Sequence, residues 1–490
     1  TMVETEEKLE TIEVVKRNGK KVEFDGTKVA MAIKKGFDSV LLDSEENEKK
    51  YNTKDIQKVY QAVIKKIAKD YLPLGKIKIE EIQDLIEENL KKYDYQDVYE
   101  SFSEYRQRRA NARIAFRDDK NMAKLQKSIE GLGLKSAAEE DSKRENANID
   151  GNTAMGTMLQ FGSTISRAFT EAYLMKKKYA EAHSNGDIHI HDMDFEAMGT
   201  TTCTQIDLSK LFKNGFSTGH GFLREPKDII SYAALAAIAI QSNQNDQHGG
   251  QSIPAFDYYM APGVLKTFKK QYKQAVYELL DFSDFISFIN MDRVEKEIDK
   301  LTSIDVDTKV FEGIYKDSTE VKKIFEKGYE TAYKKTNRQT YQAMEAFIHN
   351  LNTMHSRAGA QVPFSSVNFG TDTSPEGRMV IKNFLLATDA GLGRNETPIF
   401  PISIFKLRKG TNYEVTDPNY DLFKLAIKVS AKRLFPNFSF MDSSFNKPYY
   451  KGDYNTEVAY MGCRTRVMAN VVDEDKAITP GRGNLSFTSI

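Results

Sequence analysis

Met461-Gly-Cys-Arg-Thr-Arg466 holds one of the two cysteines in this 490-residue chain, and Thr200-Thr-Thr-Cys-Thr-Gln205 holds the other. Glycine, threonine and other polar residues surround both sulfurs, without the apolar spacing of a helix face. Each thiol is therefore expected to face a cavity instead of packing into a core, although a lone cysteine is often only a small buried hydrophobe. Sulfur chemistry at Cys203 and Cys463 is the first functional expectation.

Outward from these stretches, composition narrows the classes. The chain has 40% hydrophobic, 29% charged and 11% aromatic residues without a Trp, which describes a soluble globular protein with a sizeable core. Lys plus Arg number 70 and Asp plus Glu number 70, so no global charge attracts nucleic acid or an anionic membrane. The start, Thr1-Met-Val-Glu-Thr-Glu-Glu7, has no basic segment followed by an apolar one and does not read as a secretory signal. The apolar run Ala233–Ile240 is far shorter than the roughly 20 residues that span a bilayer. A reducing, cytoplasmic location is expected, because one possible disulfide is no secreted framework.

Residues 12–24 carry two β-prone runs around Asn18-Gly19, a strong hairpin signal. Helical spacing follows at Val29, Ile33 and Phe37. It recurs from Thr53, a candidate N-cap, through Ile67, then from Ile79 to Leu90 and from Val98 to Arg109. The predicted organisation is a compact unit over 1–112, a charged connector over 113–145 and a large domain over 146–490, where Gly-, Thr- and Asn-rich turns alternate with helix patterns.

The first unit resembles an ATP-cone, the nucleotide-sensing module of ribonucleotide reductases. The resemblance rests on Val14-Val-Lys-Arg-Asn-Gly19, Val22-Glu-Phe-Asp25, Lys28 with Ala32-Ile33, and Val98-Tyr-Glu-Ser-Phe-Ser-Glu-Tyr-Arg106. Lys16, Arg17 and Lys28 can supply positive charge for a polyphosphate. The resemblance implies ATP and dATP as competing effectors at Lys16, Arg17, Lys28, Glu23 and Thr53, with dATP switching activity off.

The large domain resembles the anaerobic, class III ribonucleoside-triphosphate reductases, which are glycyl radical enzymes. Its blocks are Glu145-Asn-Ala-Asn148, Gly186-Asp-Ile-His-Ile-His-Asp-Met-Asp194, Thr200–Asp207, Asn245-Asp-Gln-His-Gly-Gly-Gln251, Pro363-Phe-Ser-Ser-Val-Asn-Phe-Gly370 and Met461–Arg466. The resemblance implies an α/β fold, a ten-stranded α/β barrel with an N-terminal, mostly helical ATP-cone. It also implies that Cys463 lies on a finger loop and, as a thiyl, takes the 3′ hydrogen of a ribonucleoside triphosphate, with Cys203 returning hydrogen at the 2′ position. Asn484 would orient the ribose hydroxyls, and Met461 would mark the group that uses formate as reductant. His248 and Gln251 are expected near the substrate, Ser365 and Ser366 at its phosphate or ribose, and His191 as a wall of the site. His189 and His191 alternate along a candidate strand, yet nothing matches them with the four ligands a structural metal site needs, so no metal is assigned.

The implied partners are a radical S-adenosylmethionine activase and a second copy in a homodimer. The family's four-cysteine zinc site and glycyl radical loop have no counterpart in these 490 residues, so both are expected only in a C-terminal region, supplied as a separate fragment or otherwise missing. Residues 1–490 alone are accordingly expected not to turn over. A catalytically inactive nucleotide-binding fragment and, with less support, a glycyl radical lyase are the alternatives. A lyase of that kind usually has adjacent cysteines and no ATP-cone.

Overall fold

The computed structural model describes residues 2–42, 51–117, 123, 125–127, 130, 153–468, 470, 472–473 and 478–490. The chain divides into two compact units, one of residues 1–126 with 169–181, the other of 127–168 with 182–490. Much of the expected connector, at 118–122 and 131–145, lies outside the described residues.

In the first unit, α1 (Met2–Leu9) precedes a hairpin of β1 (Glu13–Val15) and β2 (Lys21–Glu23). Val14 pairs with Val22 across it. Gly19 turns the chain at φ +79°, a conformation that glycine adopts without a Cβ clash. Next come α2 (Gly26–Leu42), α3 (Thr53–Asp70), β3 (Lys76–Lys78), α4 (Ile79–Lys92) and α5 (Gln96–Arg117). The helix α5 runs past the expected boundary at 112. β3 adds to β1 in parallel, Val14 beside Ile77; three residues are too short a run to show a period. The N-cap of α3 is Asn52 and not Thr53: its Oδ1 accepts the Lys54 N–H at 2.9 Å, and Thr53 is already the first helical residue. Ile33, Phe37, Val59, Val63, Ile77 and Ile86 form the buried core of this unit.

In the second unit the elements that carry the site are α6 (Ala154–Phe169), β4 (His189–Ile190), β5 (Cys203–Gln205), α7 (Ile229–Asn243), β6 (Gln251–Ile253), α8 (Phe256–Phe282), α9 (Thr319–Thr353) and β7 (Ser365–Phe369). They continue with α10 (Pro375–Ala390), β8 (Ile402–Leu407), α11 (Tyr420–Arg433), β9 (Asn437–Phe440), β10 (Ala459–Met461), β11 (Thr465–Val467), β12 (Gly483–Asn484) and β13 (Thr488–Ser489). The main sheet has the order β9-β8-β7-β6-β5-β12. β5 to β9 run parallel and β12 antiparallel. Parallel neighbours need crossovers, which the helices α7 to α11 provide. The fold is mixed α/β, and its largest sheet among the described residues has six strands, fewer than the ten the resemblance implies.

Strand alternation sorts the sheet into two faces. Val367 and Phe369 point to the helices, where Phe369 meets Phe384 of α10 edge to face at 5.0 Å. Burying each such aromatic contributes roughly 1.5–3 kcal/mol. Ser252, Ser366 and Asn368 take the opposite face, and the β10–β11 hairpin lies on it.

Candidate functional site

The β10–β11 hairpin pairs Ala459 with Val467 and Met461 with Thr465. Its turn is Gly462-Cys463-Arg464, with φ +55° at Gly462 and +73° at Arg464. Asn368 holds Tyr460 at both backbone groups: its Nδ2 donates to Tyr460 O at 2.9 Å, and its Oδ1 accepts the Tyr460 N–H at 2.8 Å. Ser252 Oγ donates to the same carbonyl at 2.8 Å, and Arg464 Nε donates to Asn437 Oδ1 at 3.0 Å. At the base of the hairpin, the buried Glu457 accepts the Thr371 hydroxyl at 2.8 and 2.9 Å and lies 3.6 Å from Lys406 Nζ.

This seating brings the two cysteines to one place. A Cβ on Gly462 would stand 2.9 Å from Cys203 Sγ, so only glycine lets the turn come so near the sulfur. Cys203 is buried among Met461 and Val467, whereas Cys463 is exposed at the tip. The expectation that both thiols face a cavity is thus corrected for Cys203, because the hairpin covers it. Burial pushes the Cys203 thiol up, against the Gly250 N–H and Thr202 hydroxyl, and the nearby Cys463 and Asp192 push it further. The thiol is therefore held in its neutral, hydrogen-bearing form. Asn484 sits directly opposite Cys203 in the antiparallel β12–β5 register, so both side chains share the hairpin face. Its Nδ2 is buried without a partner. Met461, Cys203, Cys463 and Asn484 are thus assembled at one site.

The other expected substrate residues divide. Gln251 accepts Asn243 Nδ2 at 3.0 Å from α7, so it points to the helix side, and Ser365, its register partner on β7, points there too. These two are turned away from the thiols. Ser366 pairs with Ser252 on the hairpin face, with its hydroxyl buried and unpartnered. His248 stacks on Phe195 at 4.9 Å, and its Nδ1 is 2.7 Å from Thr200 Oγ1. Burial holds its imidazole below the ordinary histidine range, outweighing the attraction of Asp192. His191 bonds Ser489 Oγ at 2.7 Å, with the His189 ring 4.5 Å away. His191 and His248 line a cavity of about 330 Å³ with Asp192, Asp194 and Arg357. Among the described residues no group of three or more His, Cys, Asp or Glu side chains is placed to hold a metal ion.

Sequence reasoning missed the roles of Asn368 and Arg357. Arg357 donates to the carbonyls of Gln244 and Gln247, fixing the loop that leads into Gly250, and burial lowers its pKa to about 10. These contacts join positions about a hundred residues apart, where no local pattern could signal them.

In the first unit, Lys16 and Arg17 lie in the β1–β2 turn. Arg17 Nε donates to Glu80 Oε1 at 2.5 Å and its Nη2 to Gln83 Oε1 at 2.6 Å, so its charge is engaged by α4. Lys28 stands 3.4 Å from Asp25, and Glu23 is exposed at the end of β2.

A mixed α/β unit thus seats a thiol-tipped hairpin against a second, buried thiol. The family model of the anaerobic ribonucleoside-triphosphate reductase matches residues 145–490, and that of the ATP cone domain matches residues 12–111. The chain belongs to the anaerobic ribonucleoside-triphosphate reductase family. It is 27% identical over 479 residues to the anaerobic ribonucleoside-triphosphate reductase of Haemophilus influenzae, covering 97% of this chain and 58% of the relative. With that of Escherichia coli it shares 26% identity over 483 residues, covering 98% and 58%. With that of Enterobacteria phage T4 it shares 29% over 373 residues, covering 75% and 52%. The chain thus spans little more than half the length of these relatives. A solved structure of the Thermotoga maritima anaerobic ribonucleotide reductase in complex with dATP and CTP aligns with a TM-score of 0.41 at 13% identity, covering 66% of this chain and 49% of that one. No helix of the described residues is long and apolar enough to cross a membrane.

Proposed function

We propose that this chain carries the thiol chemistry of an anaerobic ribonucleoside-triphosphate reductase, which converts ribonucleoside triphosphates to 2′-deoxyribonucleoside triphosphates. The observation that supports it is the approach of the Gly462-Cys463 turn to Cys203 inside the stretch that matches the family. In this reading Cys463, as a thiyl, takes the 3′ hydrogen and becomes S–H again. The protonated 2′ hydroxyl then leaves as water, Cys203 gives a hydrogen atom to C2′, and once the sugar and Cys203 have been reduced Cys463 returns its hydrogen to C3′ and is a thiyl again. Asn484 orients the hydroxyls, while Ser366, His248 and His191 contribute to the surroundings of the substrate. Formate, oxidised to carbon dioxide beside Met461, supplies the two electrons. Each turnover then takes up one formate and one proton and releases carbon dioxide and water.

The oxidant of Cys463 is a glycyl radical, raised by a radical S-adenosylmethionine activase, whose loop motif does not occur in residues 1–490. Two cysteines cannot complete a four-cysteine zinc site, so no step here runs through zinc. The same reading gives the catalytic unit a ten-stranded barrel and makes the protein a cytoplasmic homodimer. It gives the first unit ATP/dATP control through Lys16, Arg17, Lys28, Glu23 and Thr53.

The test combines the purified chain, under strict anaerobiosis, with a C-terminal segment of a relative, its activase, S-adenosylmethionine, ATP and formate. Deoxyribonucleotide formation that disappears in both Cys203→Ser and Cys463→Ser is expected. Product formed by Cys463→Ser, or none by the unaltered chain with the segment present, overturns the reading.

A further inference from the structure

Two segments bring their groups to Cys203, the β10–β11 hairpin with Cys463 at its tip and β12 with Asn484, and both lead back to one buried carboxylate. Glu457, just before β10, is 1% exposed. The hydroxyl of Thr371, past the end of β7, is shared between its two oxygens at 2.8 and 2.9 Å. Oε2 lies 3.6 Å from Lys406 Nζ near the end of β8, and Oε1 lies 3.7 Å from Arg408 Nη1 just beyond it. Lys406 also donates to Pro254 O at 2.7 Å, past the end of β6. The ends of three neighbouring strands are thus gathered around this side chain.

The backbone of the same residue holds the second segment. Glu457 O accepts the hydroxyl of the buried Thr479 at 2.6 Å, and Thr479 N donates to Asn455 O at 2.8 Å. From Thr479 the chain runs directly into β12. Gly481 N donates to Gln205 O at 2.8 Å, Gln205 N to Arg482 O at 2.7 Å, and Thr202 N to Asn484 O at 2.9 Å. These bonds set Asn484 opposite Cys203.

We infer that Glu457 is a positioning residue that sets Cys463 and Asn484 against Cys203, a role that rests on the reductase reading for its purpose. Its side chain is engaged by Thr371, Lys406 and Arg408, so it acts through two stretches of backbone and enters no bond-making step. Hydrogen transfer between sulfur and carbon needs close approach, and a misplacement of about 1 Å costs roughly 10²-fold in rate. The charge is required as well as the shape. An amide in place of the carboxylate strands two cations at the hairpin base and turns an N–H donor toward one of them.

Two measurements test this role, and the first needs no turnover. Iodoacetamide alkylation in native buffer is followed at each cysteine by peptide mass spectrometry, with the exposed Cys463 as internal reference for Cys203 beneath the hairpin. Glu457→Gln raises the Cys203 rate relative to Cys463 by about tenfold or more, through local opening of the hairpin. Glu457→Asp keeps the charge and raises it much less. Thr371→Val, a milder change that leaves the ion pairs in place, moves the ratio in the same direction by a smaller factor. Phe384→Leu, a core change on the helix side of the sheet, controls for general loss of stability and leaves the ratio within about twofold. In the reconstituted reductase, Glu457→Gln lowers kcat roughly 10²-fold with KM for the nucleotide little changed, and Glu457→Asp recovers most of the loss. A ratio that Glu457→Gln and Thr371→Val leave unchanged, or that Phe384→Leu raises equally, overturns the inference, as does a raised KM with kcat unchanged. A raised ratio in a chain that makes no deoxyribonucleotide supports the anchoring by Glu457 and counts against the reductase reading alone.

Discussion

Gly250 and Gly462 meet backbone to backbone: a Cβ on Gly250 would lie 2.6 Å from the Gly462 Cα. The loop before β6 and the cysteine-bearing turn therefore fit together only because Gly250 has no side chain. Gly250→Ala is expected to lift the turn from its seat and lower stability by about 1–3 kcal/mol, with loss of deoxyribonucleotide formation. A thermal unfolding midpoint equal to that of the unaltered chain sinks this expectation.

Asn368 is fully buried and meets both backbone groups of Tyr460. Asn368→Ala leaves the Tyr460 N–H without its partner, at about 1–3 kcal/mol, while the Tyr460 carbonyl keeps the Ser252 hydroxyl. Asn368→Asp keeps the acceptor for the Tyr460 N–H but loses the donor and buries a charge, so it is expected to be at least as destabilising at pH 8. Urea midpoints of the two variants check the ordering, which fails if the aspartate variant is the more stable.

Asp257 accepts the N–H groups of Gly370 and Asp372 at 2.9 and 3.1 Å from a fully enclosed position in α8. Burial first, and Asp372 second, push its pKa up to about 7 from an ordinary value of 3.8, against Lys406. An acid with a higher pKa folded than unfolded keeps its proton longer in the native state. Stability from this group therefore falls as pH rises from near 3.8 to about 7, and is level above. Asp257→Asn is expected to remove that decline, on the order of 1–4 kcal/mol, in denaturation curves taken across the window. Parallel pH profiles for the two proteins would rule it out.

Lys16 and Lys28 are the less committed cations of the first unit, because Arg17 is engaged by Glu80 and Gln83. Lys16→Ala with Lys28→Ala is expected to weaken ATP binding to the full chain by tenfold or more, a change of ~1.4 kcal/mol. Arg17→Ala should weaken it less. Equilibrium binding that ranks Arg17→Ala as the more damaging change contradicts this order.

Local pattern made the first unit legible. Asn18-Gly19 marks the hairpin, and the apolar spacings of α2 to α5 reflect a helix burying one face, which needs no knowledge of distant residues. The two cysteines also stood out by sequence alone, through their rarity and polar flanks. The face that Gln251 and Ser365 take was not legible. Gln251-Ser252 and Ser365-Ser366 are polar at consecutive positions, so no alternation marks which residue looks toward the thiols.

What the sequence determined by itself is therefore the local elements and the chemical character of the site: two sulfurs, an amide at Asn484 and the glycines that permit close approach. Only the tertiary structure decided how they meet. The order of the six strands, the anchoring of Tyr460 by Asn368 and the approach of the Gly462 turn to Cys203 depend on contacts between residues far apart in the chain or across strands. Those contacts follow from packing and from the need to satisfy buried polar groups, which act on the folded chain as a whole and leave no local periodicity to read.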